Sequence, residues 1–230
     1  MKEKVSFTID GKTCYAKEGE NLVDAAKENG VYIPTLCYAK EVLGTCRGCI
    51  VRNGKSIIPA CTCKVTEGMN IEVDSPDLND YRLSIIELLF VEGNHYCPSC
   101  EKSGRCKLQA IAYDMKMMVP RLPYRYPLRN LDYGAKNILL EHNRCIQCLL
   151  CVEEVKGENG ESVFSPVQRG PNTYIQMDCK QADKLSEKEV DRAVSLCPVG
   201  ALLKKGKGFD KPYGKRRYDK TPISKVRDDE

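Results

Sequence analysis

The chain has 230 residues, 42% of them hydrophobic, with no Trp, four Phe, fourteen Cys and a formal net charge of +4. So few large aromatic residues cannot cement a core alone, and the cysteines point to several small modules crosslinked through sulfur, by disulfides or by metals. The charged start Met1-Lys2-Glu3-Lys4-Val5 has no signal-peptide core, and no run approaches the ~18 apolar residues of a membrane span. The expectation is a cytoplasmic chain with no membrane span, in a reducing compartment where metal ligation explains the cysteines better than disulfides do.

Val5, Phe7 and Ile9 alternate with polar residues, Asp10-Gly11 follows, and Thr13 to Ala16 alternates again, which predicts a β-hairpin with a type I′ turn. In that hairpin Cys14 falls opposite Phe7 and packs as a small hydrophobe. Leu22, Val23, Ala25 and Ala26 take helical spacing with Asn29-Gly30 as the stop, and Ile57 to Pro59 and Asn70 to Val73 read as short strands. A helix is predicted over Asp80 to Glu92 with Leu83, Ile85, Ile86, Leu88, Leu89 and Phe90 as its buried face, and another over Leu108 to Met118. Pro120, Pro123 and Pro127 then impose an extended connector. From Lys204 to Glu230, ten Lys or Arg stand against five Asp or Glu, so the basic excess lies in the tail. With few aromatic platforms beyond Tyr213 and Tyr218, that tail is expected to be solvated or docked on a partner, and no nucleic acid is expected. The predicted modules are residues 1–78, 79–119 and 120–203, followed by the tail 204–230.

Three cysteine groups carry the chemistry. Cys37, Cys46, Cys49 and Cys61 combine a glycine-bearing loop with one later thiol, as in plant-type ferredoxins with a [2Fe-2S] cluster. Gly44 and Gly48 let backbone N–H groups turn toward anionic sulfur. Cys63 is an alternative to Cys61, and a zinc site built from Cys46, Cys49, Cys61 and Cys63 has acceptable spacing but leaves Cys37 unused. The second group is His95, Cys97, Cys100 and Cys106; zinc with three Cys and one His looks the same in isolation. If the metal is a [4Fe-4S] cluster, a neutral imidazole in place of one thiolate raises its potential. Cys145, Cys148 and Cys151 with the remote Cys197-Pro198 match the bacterial ferredoxin pattern for a single [4Fe-4S] cluster. His142 reads as structural, and nothing near Cys179 suggests a role. Gly206-Lys207-Gly208 lacks the third glycine and the strand-to-helix context of a dinucleotide fingerprint, and no nucleophile-base pair has a recognisable spacing.

The runs Pro34-Thr35-Leu36-Cys37-Tyr38, Glu92 to Cys106 and Asn143-Arg144-Cys145 resemble the N-terminal iron-sulfur region of the large peripheral subunit of respiratory complex I. The likeness is strongest to the HoxU-type diaphorase iron-sulfur subunits of NAD-reducing [NiFe] hydrogenases, and it extends to the tail run Gly208 to Asp219. The resemblance implies an α+β chain: a β-grasp [2Fe-2S] ferredoxin-like domain, a helical [4Fe-4S] segment with one His and three Cys ligands, and a ferredoxin-like [4Fe-4S] module before the basic tail. It implies one [2Fe-2S] and two [4Fe-4S] clusters on the residues above, in a hetero-oligomer with a flavin-containing NADH-oxidising subunit and [NiFe] hydrogenase subunits. The chain is then an electron-transfer subunit of an oxidoreductase with no catalytic residues of its own. Similar subunits serve electron-bifurcating hydrogenases and NAD-linked formate dehydrogenases. The rivals from other classes are a zinc-stapled binding module and a free-standing ferredoxin.

Overall fold

The computed structural model describes residues 4–39, 44–209, 211–223 and 227. The charged start at residues 1–3, residues 40–43 of the first cysteine loop, Asp210 and the rest of the tail end lie outside the described residues.

Strands β1 (Lys4–Ile9) and β2 (Lys12–Lys17) pair antiparallel with Phe7 opposite Cys14, the register the alternation requires. Asp10 and Gly11 both take positive φ, +48° and +78°, the conformation a type I′ turn demands. The helix α1 (Leu22–Glu28) is capped by Asn21, whose side chain accepts from the Val23 N–H. Asn29-Gly30 ends it, Gly30 at φ +73°. β3 (Ile50–Asn53), β4 (Ser56–Pro59) and β5 (Asn70–Glu72) complete a sheet of order β2-β1-β5-β3-β4, in which only the β1–β5 pair is parallel. Val5, Phe7, Ile9 and Cys14 bury against Leu22, Ala25 and Ala26 of α1. A sheet wrapped on one helix in this order is the β-grasp arrangement. β3 has no signature in the sequence: only Ile50 and Val51 are apolar, too short a run for a period to register.

The next helix, α2 (Pro76–Val91), starts four residues before the predicted Asp80, because Ser75 leads into Pro76 and proline is well suited to the first helical turn. Its buried face also differs. Arg82 and Glu87 are buried while Leu88 is 44% exposed. Each polar residue has partners that offset its desolvation. Arg82 donates to the Ile50 carbonyl at 2.5 and 3.1 Å and to the Val73 carbonyl at 2.7 Å, which ties α2 to the sheet. Glu87 accepts from the backbone N–H and the Nε of Arg121 at 3.1 and 3.0 Å. Those contacts, with Arg125 N–H on the Val91 carbonyl, strap the proline-rich connector along α2. α3 (Lys107–Asp114) stops short of the predicted Met118, since Lys116 adopts φ +57°, outside helical space.

The last part is built from β6 (Leu131–Asp132), β7 (Ile138–Glu141), α4 (Leu150–Glu154), β8 (Phe164–Val167), β9 (Tyr174–Met177), α5 (Cys179–Ala182), α6 (Glu187–Leu196) and β10 (Leu202–Lys204). The strands form a sheet β10-β7-β6 and a hairpin β8-β9. α6 opens with a capping box between Ser186 and Glu189 and buries Val190, Ala193 and Val194. A single apolar core runs from Ile86 and Phe90 of α2 through Leu108 and Ile111 of α3 to Ile138, Leu140, Phe164, Val190 and Leu202. The tail folds back on its own chain. Tyr218 is buried against Ala110, its N–H donates to the Gly104 carbonyl at 3.0 Å, and Arg216 reaches the Ser103 carbonyl at 3.2 Å while pairing with Asp219 at 2.6 Å. Among the described residues no helix is long and apolar enough to cross a membrane.

Candidate metal centres

The first donor set lies where the loop after α1 meets the turn after β4. Cys37, Cys46, Cys49 and Cys61 are all buried. The Cys46 N–H donates to the Cys37 sulfur and the Gly48 N–H to the Cys46 sulfur, each at 3.4 Å. The four thiols lie close enough to perturb one another's ionisation. Cys37 accepts from the thiols of Cys46 and Cys61, which pulls its pKa down to about 2, while Cys61 also donates to Cys49 and lowers it. The donors, Cys46 and Cys61, are pushed up by those same hydrogen bonds and by burial. Sulfurs crowded this closely call for a cation in place of the protons. The expected glycines fit: a Cβ on Gly48 would sit 3.7 Å from the Cys46 sulfur, and Gly44 takes φ +66°. Cys63 does not join the four. It is half-buried, its thiol donates to the adjacent Lys64 carbonyl, and it is raised chiefly by burial with no thiol among the causes.

The second set lines one pocket between α2 and α3, in which His95, Cys97, Cys100 and Cys106 face Phe90, Leu108, Arg144 and Gly200. A ring nitrogen of His95 bonds the Leu89 carbonyl, and burial, the largest influence, lowers the imidazole to about 4. The ring is neutral at physiological pH. Its Nε2 is buried without a hydrogen-bond partner, a lone pair aimed at nothing in the protein. Desolvation of that kind is costly unless the atom serves a ligand. Burial also raises Cys97, and Cys106 to about 12, as expected of thiols whose compensating charge is a metal. Two glycines leave the space that the donors occupy: a Cβ on Gly93 would lie 2.4 Å from His95 Nε2, and one on Gly200 would lie 2.5 Å from the Cys100 sulfur.

In the third set, Cys145, Cys148 and Cys151 gather around Cys197 at the end of α6. Each is raised first by burial, with the Cys197 sulfur adding to it, Cys145 to about 11. Between the thiols, Gln147 and Leu149 adopt φ +52° and +62°, left-handed values that side chains rarely accept. The strain turns backbone N–H groups inward: those of Gln147 and Leu150 serve Cys145 and Cys148. No residue type advertises this. Thr45 Oγ1, beside Cys46, donates to the Cys148 carbonyl at 3.2 Å and links the first set to the third. The second meets the third through Asn94 N–H on the Asn143 carbonyl at 2.7 Å and Lys107 N–H on the Pro198 carbonyl at 3.0 Å.

Three further Cys and His residues lie outside the sets. Cys14 is fully buried in the β-grasp core, His142 packs edge-on against Tyr174, and Cys179 lies half-buried 3.8 Å from Asp132 Oδ1. Gly93, Gly200 and Arg144 escape sequence reasoning, because nothing in their sequence neighbourhood reveals which sulfur or nitrogen they approach. Among the described residues, no group of three or more His, Cys, Asp or Glu is placed to grip a single metal ion.

Three family models match successive parts of the chain: a 2Fe-2S iron-sulfur cluster binding domain over residues 2–76, the NADH-ubiquinone oxidoreductase-G iron-sulfur binding region over 82–121, and the ferredoxin-like domain of NADH-quinone oxidoreductase subunit 3 over 135–203. With the buried thiol sets, they define an iron-sulfur electron-transfer protein with one 2Fe-2S domain followed by 4Fe-4S-binding domains. The chain is 50% identical, over 94% of its length and 93% of the relative's, to the gamma chain of the NAD-reducing hydrogenase HoxS of Cupriavidus necator. It superposes with a TM-score of 0.85 and 36% identity on a chain from a crystal structure of NAD+-reducing [NiFe]-hydrogenase in the hydrogen-reduced state, covering 95% of this chain and 94% of that one. It is also 34% identical to the alpha chain of the NADPH-Fe(3+) oxidoreductase of Geobacter sulfurreducens, over 87% of this chain but only 24% of that longer protein. The chain belongs to the family of iron-sulfur electron-transfer subunits of NAD-reducing hydrogenases.

Proposed function

We propose that the chain carries electrons between a flavin-containing, NADH-oxidising subunit and [NiFe] hydrogenase subunits, in a cytoplasmic hetero-oligomer. One [2Fe-2S] cluster is assigned to Cys37, Cys46, Cys49 and Cys61. Two [4Fe-4S] clusters are assigned to His95, Cys97, Cys100 and Cys106 and to Cys145, Cys148, Cys151 and Cys197. Bound there, the clusters supply reversible one-electron storage. The chain's own part is to hold the donors buried, keep water away and aim N–H groups at sulfur. The proposed modules are 1–78, 79–119, 120–203 and the tail 204–230, which Tyr218 and Arg216 clasp to the second module.

The observation that carries the reading is the buried, partnerless Nε2 of His95 in one pocket with three thiols. A thiol-only core would strand that atom; a metal cage gives it a bond. The links at Thr45–Cys148 and Lys107–Pro198 support a spatial order in which the Cys145 site lies between the other two, so an electron passes from first to third to second or the reverse. Anaerobic purification of the native assembly tests the whole proposal. It should yield a brown complex with about ten irons on this chain, from one two-iron and two four-iron cages. Flavin- and nickel-containing chains should co-purify. A colourless chain with zinc and no acid-labile sulfide would refute the assignment.

A further inference from the structure

Arg144 is the neighbour of Cys145 in the chain, yet its guanidinium serves another centre. It lines the pocket of His95, Cys97, Cys100 and Cys106. Its Nη1 donates to Glu101 Oε2 at 2.5 Å and lies 3.4 Å from the Gly200 carbonyl, beside the Cys100 sulfur that a Gly200 Cβ would strike. The side chain is only 15% exposed and that of Glu101 29%, so water screens the pair weakly. Other cations bear on the donors without lining the pocket: the charge of Arg129 acts on His95 with that of Arg144, and the charge of Lys102, buried with its Nζ on the Val194 carbonyl, acts on Cys106. Arg144 combines a place on the pocket wall with an acidic partner held at hydrogen-bond distance. A guanidinium stays charged throughout the physiological range, so its influence on the pocket is constant.

We propose that Arg144, balanced by Glu101, is a positioning residue that sets the reduction potential at the His95 site relative to the Cys145 site. This rests on the assignment of a [4Fe-4S] cluster to the four donors. Reduction adds one electron to the site, breaks no bond and makes its net charge more negative by one. A fixed positive charge on the pocket wall favours that reduced form, and Glu101 limits the effect. Because the guanidinium reaches across from the chain segment of the third set, it acts on the difference between two adjacent centres, which decides the direction of the electron step between them.

The test is a potentiometric titration of the assembled complex, followed by the paramagnetic signals of each reduced centre. Arg144→Gln should lower the midpoint of the His95 site, roughly tenfold in its reduced-to-oxidised ratio at a fixed potential, or about 59 mV for one electron. Glu101→Gln should move it the opposite way, and the double variant should return toward the parent. Arg144→Lys keeps the charge and should recover most of the shift. The midpoints of the other two centres should stay in place. If both single variants shift the midpoint in the same direction, or Arg144→Gln leaves it unmoved with iron content intact, the inference is overturned. A parent complex with no signal from the His95 site would instead overturn the cluster assignment beneath it.

Discussion

Gly200→Ala offers the sharpest test of how the second donor set is housed. An ideal Cβ at that position falls 2.5 Å from the Cys100 sulfur and 3.2 Å from Lys102 Cβ. Ordinary contacts between such atoms begin at about 3.5 Å, so one methyl group forces Cys100 back by about 1 Å. Ligand distances in a metal site tolerate about 0.2 Å, and the pocket wall around Cys100 belongs to a close-packed core that gives little. Overpacking of this size costs about 1–3 kcal/mol, too little to unfold a domain of ordinary stability. The variant should therefore fold and lose one four-iron cage, its iron falling from about ten to about six per chain. Iron and sulfide analysis with paramagnetic resonance of the reduced protein reads this directly. Gly208→Ala, where a Cβ meets nothing within 4 Å, is the matched control. A Gly200→Ala protein with full iron and an unaltered spectrum would mean that Cys100 is not held where the donor set needs it.

Three further outcomes are expected. Cys61→Ser should abolish the [2Fe-2S] visible band while Cys63→Ser leaves it, because the Cys61 thiol neighbours Cys37 and Cys49 and no thiol acts on Cys63; equal losses would refute the assignment. Arg82→Met keeps the length of the side chain but strips the Ile50 and Val73 carbonyls of a charged donor. It should cost about 2–4 kcal/mol, read as a lower urea midpoint for loss of that band. Arg216 holds Asp219 at about 2, below its usual 3.8. A carboxylate lowered on folding stabilises above its unfolded pKa, so the tail clasp is complete above about pH 4 and weakens only as pH falls from there toward about 2. Limited trypsin digestion should release the tail equally slowly at about pH 7 and about pH 8, and faster in Asp219→Asn at both.

What the sequence made legible was whatever local chemistry decides. The Asp10-Gly11 turn and its flanking alternation define a hairpin register without help from the rest of the chain, and cysteine spacing marks three donor sets because ligands in one loop must be close in sequence. The proline connector is equally local. Tertiary choices were hidden. α2 buries Arg82 and Glu87 in preference to Leu88 because the carbonyls of Ile50 and Val73 and the N–H of Arg121 await them, and neither residue's sequence neighbours reveal those partners. The same holds for Gly93 and Gly200, whose role lies in which remote atom they approach, and for Gln147 and Leu149, whose left-handed backbone no propensity predicts. α3 ends early for a related reason: Met115, Met117 and Met118 extend the helical pattern, while the chain turns at Lys116.

The apolar core shared by α2, α3 and the last module has a mechanical meaning. Electron tunnelling weakens steeply with distance, so two redox centres on separately hinged bodies would exchange electrons at a rate that flickers with every swing of the hinge. Here Phe90, Leu108, Phe164 and Leu202 lie in one packed mass. Whatever sits at His95 and whatever sits at Cys145 ride on the same solid spacer, and thermal breathing has little gap to modulate.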